Sequence, residues 1–141
     1  MENAKRCDVH VLFADVVVLS DSSVLLIQPA HPPAEHLGWR LPGDALRHGE
    51  HPEKCAARIL TEQLGLQVGW LELAEIESIP GELWHLFFHY KCEADRPPVT
   101  APEIAEARFF QLEHLPPTAH GTWERDVVFR VVVGGGGAEE A

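Results

Sequence analysis

Residues 39–66 read WRLPGDALRHGEHPEKCAARILTEQLGL, and the spacing within this stretch specifies a loop that runs into a helix. Pro52 suits the first turn of a helix, where a missing backbone N–H leaves no partner unmet. Beyond it, Cys55, Ala56, Ile59, Leu60 and Leu64 recur at steps of three and four, the repeat of a helix with one buried side. Gly65 stands where a left-handed residue closes a helix. The spacing therefore predicts a helix over 52–64. Ahead of it, Trp39-Arg40-Leu41-Pro42-Gly43 reads as a short strand entering a turn, and 44–51 as a loop with a brief extended piece at Ala45-Leu46.

Outward from this segment the chain alternates apolar runs with turn signals. Residues 8–19 and 24–29 flank Asp21-Ser22-Ser23 and read as a β-hairpin. Residues 30–38, with two prolines and a glycine, form a loop. Strands are expected at 67–79 and 83–92, separated by Pro80-Gly81. In the second of these, Leu83, His85, Phe87 and His89 share one face and Trp84, Leu86, Phe88 and Tyr90 the other, the pattern of a strand covered on both sides. A loop over 93–102 precedes a strand at 106–112. Thr122 caps a last helix over 123–133. The order β-β-(β)-α-β-β-β-α predicts an α+β or α/β architecture, a mixed sheet sandwiched between helices. Residues 1–133 read as one domain and 134–141 as a flexible glycine-rich tail.

The chain has 141 residues, 45% of them hydrophobic, and a formal net charge of −11. This suits one domain around one core. Residues 9–19, broken by His10 and Asp15, fall far short of the roughly 20 residues of a membrane helix. With no small-residue cleavage site after Lys5-Arg6 they read as a strand, not a signal peptide. The negative field disfavours nucleic-acid duplexes and anionic membranes, but is compatible with a small nucleotide whose phosphates are masked by Mg²⁺. Cys7, Cys55 and Cys92 form no CxxC pair, which argues against a zinc or disulfide framework and for a reducing, cytoplasmic compartment.

The 39–66 segment resembles the signature of the Nudix family: a glycine, five residues, a glutamate, seven residues, then Arg-Glu-aliphatic-x-Glu-Glu-x-Gly-aliphatic, led by Trp-x-x-Pro-Gly. Trp39, Pro42 and Gly43 match the lead-in; Glu50, Arg58, Leu60, Glu62, Gly65 and Leu66 fall in register. Asp44 departs from the first glycine, Ile59 from the glutamate after the arginine, and Gln63 from the second glutamate of the pair. Residues 103–110, EIAEARFF, resemble the family's Glu-x-x-Glu-x-Arg-Trp-Phe strand. Together the motifs and strand order cover nearly the whole chain.

The resemblance implies a Nudix fold and a divalent-metal-dependent hydrolase of a nucleoside diphosphate linked to another group. Mg²⁺ or Mn²⁺ would neutralise the diphosphate and orient the attacking water. Such ions take hard oxygen ligands, and a helix presents carboxylates on one face at steps of three and four. Here that face holds Ile59, Glu62 and Gln63. The implied metal ligands are Glu62, Glu50, the Gly43 carbonyl, Glu103 and Gln63 through its amide oxygen. Glu62, Glu103 and Arg58 are the implied catalytic residues, with Glu103 or Glu106 as base. Losing two negative charges should weaken metal binding by on the order of 100-fold or more. Arg58 equally reads as a salt-bridge partner of Glu62 or Glu50, and Ile59 as an extension of the buried stripe.

Arg40, Trp39 and Phe87 are expected to contact substrate; for the aromatic residues, including Phe88 and Trp123, core packing is the other reading. The nine histidines match no zinc signature. Three functions stay open: the hydrolase, a non-catalytic domain that binds a nucleotide-like ligand, and an interaction domain that has kept only the fold. The loops at 30–38 and 93–102 are expected to shape the pocket. A homodimer is left open as an assembly.

Overall fold

The computed structural model describes residues 10–32, 34 and 37–137. Its elements are β1 (His10–Ser20), β2 (Ser23–Pro29), β3 (Gly43–Ala45), α1 (Pro52–Leu64), β4 (Glu72–Ile79), β5 (Trp84–Glu93), β6 (Ile104–Gln111) and α2 (Trp123–Gly137). The sheet runs β4-β5-β1-β2-β6, with β3 paired to β1. β1 and β5 are parallel and the other pairings antiparallel. This is the expected mixed sheet between helices. The hairpin turns at Asp21, whose φ of 55° places an aspartate in the left-handed region that this residue type tolerates.

Period-two alternation divides the core into two layers. On one face Val16, Val18, Leu25, Ile27, Tyr90 and Cys92 pack beneath Ala56, Leu60 and Leu64 of α1. On the other, Val17, Val24 and Leu26 pack beneath Val127, Val128 and Val131 of α2. In β5, Tyr90 and Cys92 are buried on the first face and His89 on the second, so its C-terminal half is covered on both sides as expected, whereas Leu83 just before it and Trp84 at its start are exposed.

α1 spans the predicted residues. Gly65 closes it at φ 61°, and the N–H groups of Gly65 and Leu66 return to the carbonyls of Thr61 and Leu60 at 3.1 and 2.9 Å. Its start carries a cap that the sequence did not suggest: His51 Nδ1 accepts a bond from the Glu53 N–H at 3.1 Å. The last helix was expected to stop at Val133, because glycine is a poor helix former. It continues through Gly134–Gly137. Residues 138–141 of the expected tail, like 1–9 with Cys7, lie outside the described residues, as does part of the 30–38 loop.

The segment leading into α1 is laid directly on the sheet. Arg40 and Ile27 exchange both backbone bonds at 2.8 and 2.9 Å, and the Val16 N–H reaches Pro42 O at 3.0 Å. Gly43 then sits against β1 so closely that a Cβ there would meet Phe13 Cε2 at 2.8 Å and Ala14 O at 3.0 Å. Only glycine allows this approach. Gly43→Ala should therefore lower the unfolding free energy by about 1–3 kcal/mol, read by urea denaturation. An unchanged midpoint would mean that the loop can lift from β1 without cost.

Candidate active site and ligand cavity

Arg58 joins α1 to the loop before it. Its Nε and Nη2 bond the two oxygens of Glu50 at 2.8 and 3.0 Å, its Nη1 bonds the Asp44 carboxylate at 3.0 Å, and Nη2 also reaches Ala45 O at 3.3 Å. The bidentate geometry suits a planar guanidinium facing a carboxylate. The Arg47 N–H adds a third bond to Glu50 at 2.9 Å. Together these donors hold the Glu50 carboxyl at about 2, against an ordinary 4.5. Glu50 is thus a structural carboxylate with its oxygens engaged. Asp44, standing where the signature has glycine, adds a second anion to the same guanidinium.

The face of α1 that should present three carboxylates presents one. Ile59 is fully buried with Ala14 and Cys55, so it extends the core stripe. Glu62 is exposed, with Arg47 at 3.6 Å and Arg58 at 3.9 Å. Gln63 turns its amide nitrogen to the Gly43 carbonyl at 3.1 Å, and its Oε1 is buried with no hydrogen-bond partner. An amide N–H therefore stands on the oxygen that a cation would take. Segment 99–101 is stitched to the end of α1 through Val99 N–Leu64 O and Ala101 N–Gln63 O bonds at 2.8 and 3.1 Å. That brings Glu103 to this end of the helix, where it is exposed. Glu106 pairs with Arg108. Taken as a donor set, one neutral amide, one occupied carbonyl, one committed carboxylate and the exposed Glu62 and Glu103 do not fit a tightly held divalent ion.

On the opposite face of the sheet lies a cavity of about 720 Å³ lined by Phe13, Asp15, Arg40, Gly43, Phe87 and Trp123 among others. Two of the three expected substrate contacts, Arg40 and Phe87, are here. Trp39 is not: it meets Phe110 edge-on at 4.8 Å beneath the Arg108 guanidinium and belongs to the α2-side core. The 93–102 loop packs at the end of α1 instead of lining this cavity.

One residue of the cavity wall, Asp15, belongs to a group that the sequence reading missed. His89 is fully buried, with Nδ1 at 2.6 Å from Asp15 Oδ1 and Nε2 at 2.8 Å from Glu77 Oε1. Burial would by itself hold this imidazole neutral, but the two carboxylates outweigh it, and its pKa lies above the ordinary histidine value. Burial pushes the Asp15 carboxyl up, more than His89 draws it down. Asp15 and His89 are direct partners across the parallel β1–β5 pairing. Their sequence signal was an acid and a histidine interrupting the apolar runs of β1 and β5. Each needs a polar partner once buried.

Glu75, Glu77 and His89 also bring ligand-type atoms within 4.8 Å of one another. Arg130 already fills that cluster, at 3.0 Å from Glu75 and 3.1 Å from Glu77. The buried thiols of Cys55 and Cys92 are pushed up by burial to about 11 and about 12, so neither is a thiolate at neutral pH. Among the described residues no helix is long and apolar enough to cross a membrane.

The NUDIX domain model matches residues 10–131, and the chain belongs to the Nudix family. No curated protein matches its sequence. A MutT NUDIX hydrolase from Burkholderia pseudomallei is 23% identical, with TM-score 0.73 over 86% of this chain and 97% of its own. The NUDIX domain of Shewanella oneidensis NrtR, solved in complex with ADP ribose, is 17% identical, with TM-score 0.66 over 83% of this chain and 84% of its own. A UDP-X diphosphatase is 16% identical, with TM-score 0.72 over 95% of this chain and 72% of its own.

Two outcomes follow from this geometry. The Glu50–Arg58 contribution to stability is complete above the ordinary carboxyl value of 4.5 and is lost as pH falls toward about 2. Thermal melts of the native protein should drop across that range, and Glu50→Gln should flatten the drop. A curve that is lower but parallel would assign the titration elsewhere. Ile59→Glu places a carboxylate in the core and should cost about 3 kcal/mol or more. Denaturation showing no loss would mean that position 59 can turn outward.

Proposed function

We propose that this protein binds a nucleoside diphosphate linked to another group. The base end lies in the cavity between the sheet and α2, and the diphosphate lies toward Gly43 and the N-terminal side of α1. Binding, and not fast metal-driven hydrolysis, is its dominant property. The observation that carries this is the Gln63 amide on the Gly43 carbonyl. It replaces a cation with a hydrogen bond, while the cavity, Arg40 and the aromatic walls remain. The complex of the NrtR NUDIX domain with ADP ribose supports a ligand of this class for the fold, and the UDP-X diphosphatase supports the same linkage.

The second reading is the pyrophosphohydrolase itself, using Mg²⁺ or Mn²⁺. Family membership favours it, as does Glu62, an exposed carboxylate at the expected place on the helix. Glu62 and Glu103 would then carry the metal and the base, with Arg58 holding the loop. Turnover would demand high metal concentration, because two anionic ligands are missing.

The two are separated by one set of measurements. ADP-ribose, nucleotide sugars, nucleoside triphosphates and dinucleoside polyphosphates are titrated by calorimetry without metal, then assayed for release of phosphate or nucleotide over a range of Mg²⁺ and Mn²⁺. Binding without metal and little turnover is the expected result. Rapid metal-saturable turnover abolished by Glu62→Gln would overturn it. Gln63→Glu alone is the informative gain-of-charge variant, since Ile59 is core. It should tighten Mn²⁺ binding by on the order of 10-fold or more.

A further inference from the structure

The cavity wall carries one carboxylate oxygen to which the fold brings no partner. Asp15 is 2% exposed and lines the cavity. His89 takes its Oδ1, and among the described residues nothing bonds its Oδ2. The other buried acid on the lining, Glu124, has both oxygens engaged by His120, through the backbone N–H at 3.2 Å and Nδ1 at 2.5 Å. His85 faces the Leu83 carbonyl at 3.2 Å.

Asp15 is also held from behind. The two nitrogens of His89 face two carboxylates, so a ring carrying both protons satisfies both. Glu77 is fixed in turn by Trp123 Nε1 at 3.4 Å and Arg130 at 3.1 Å. The carboxylate plane of Asp15 is thus set by β5, β4 and α2 together, and Oδ2 is presented as an acceptor beside Phe13, Phe87 and Trp123. Phe87 lies 5.5 Å from Phe13 and 4.9 Å from Trp123, centroid to centroid. Flat apolar walls with one fixed acceptor make a seat for a heteroaromatic ring that carries a donor on its edge.

We propose that Asp15 sets the specificity of this cavity: its Oδ2 accepts a hydrogen bond from an exocyclic amino group, selecting ligands with adenine, guanine or cytosine over bases that lack the amino group. His89 and Glu77 are positioning residues. This rests on the nucleotide-binding reading above and names the substrate class within it.

The test uses matched mononucleotides that differ only by the amino group: AMP against purine riboside 5′-monophosphate, GMP against IMP, and CMP against pyrimidin-2-one riboside 5′-monophosphate, each by calorimetry without metal. At least one amino-bearing member should bind on the order of 10- to 100-fold tighter than its partner, the effect of a hydrogen bond to a charged acceptor. In Asp15→Leu, which keeps the side-chain shape, that gap should close while the amino-free nucleotide binds as before. His89→Leu should narrow the gap in the same one-sided way, whereas a merely structural role would weaken both members of a pair equally. Equal binding within every wild-type pair, or a gap that survives Asp15→Leu, overturns the proposal and leaves nucleotide binding intact. Failure of every mononucleotide to bind at millimolar concentration overturns both. Equal binding within the wild-type pairs overturns the proposal even if a variant does not fold.

Discussion

Arg58 is the residue through which the loop before α1 acquires its shape. Of residues 44–51 Leu46 packs on the buried Ala14–Cys55–Ile59 cluster, and hydrophobic burial does little to place the others. One guanidinium, largely buried against the helix, does so by holding Glu50, Asp44 and the Ala45 carbonyl. Because Ala45 and Asp44 pair with Phe13 and Ala14 of β1, the same charge also pins β3 to the sheet. Gly43 follows, directly opposite Asp15. The loop, the helix and the near wall of the cavity are therefore one mechanical unit organised by a single cation.

The three departures from the Nudix signature share a direction. Asp44 turns to Arg58, Ile59 turns into the core, and Gln63 turns to the Gly43 carbonyl. Each substitutes a contact within the protein for one that would face an external ion or water. A glutamate at position 63 would put an anion on a carbonyl oxygen, which is repulsive unless a cation lies between them. A glutamine supplies the bridging positive end itself, through its N–H. The loop–helix unit closes on itself, at the cost of one buried, unpartnered amide oxygen.

Much of the fold was legible because periodicity is a local property. The helix over 52–64, its closing glycine and the two-sided character of β5 all follow from spacing within short windows. Arg58 was legible as a salt-bridge residue of Glu62 or Glu50, both near it in sequence, and it lies 2.8 Å from Glu50 and 3.9 Å from Glu62. The Asp15–His89–Glu77 group was not. Its members stand on three strands and meet only through the β1–β5 and β4–β5 registers, which no local pattern fixes. Trp39 shows the converse limit. Its position in a motif suggested ligand contact, with core packing as the other reading, and the side chain packs edge-on against Phe110 beside the last-helix layer. The end of α2 differed for another reason: glycine propensity alone argued against residues that the helix nevertheless includes.

The buried Asp15–His89 pair, with the half-buried Glu77 beside it, is a poor choice on stability grounds. Removing carboxylates and an imidazolium from water is costly, and apolar residues of similar volume often leave a fold as stable or more so. Phe13 and Val17 on β1 and Phe87 on β5 flank the pair on the same face, so an apolar pair at 15 and 89 would continue that pattern. The polar group also sits at the cavity wall and leaves one carboxylate oxygen unused, with Arg130 and Trp123 supporting it from behind. Burial cost concentrated at that point is accounted for by recognition and not by folding. The structure is divided across Gly43: on one side a loop–helix unit closed by the internal bonds of Asp44 and Gln63, on the other the Asp15 carboxylate at the cavity wall.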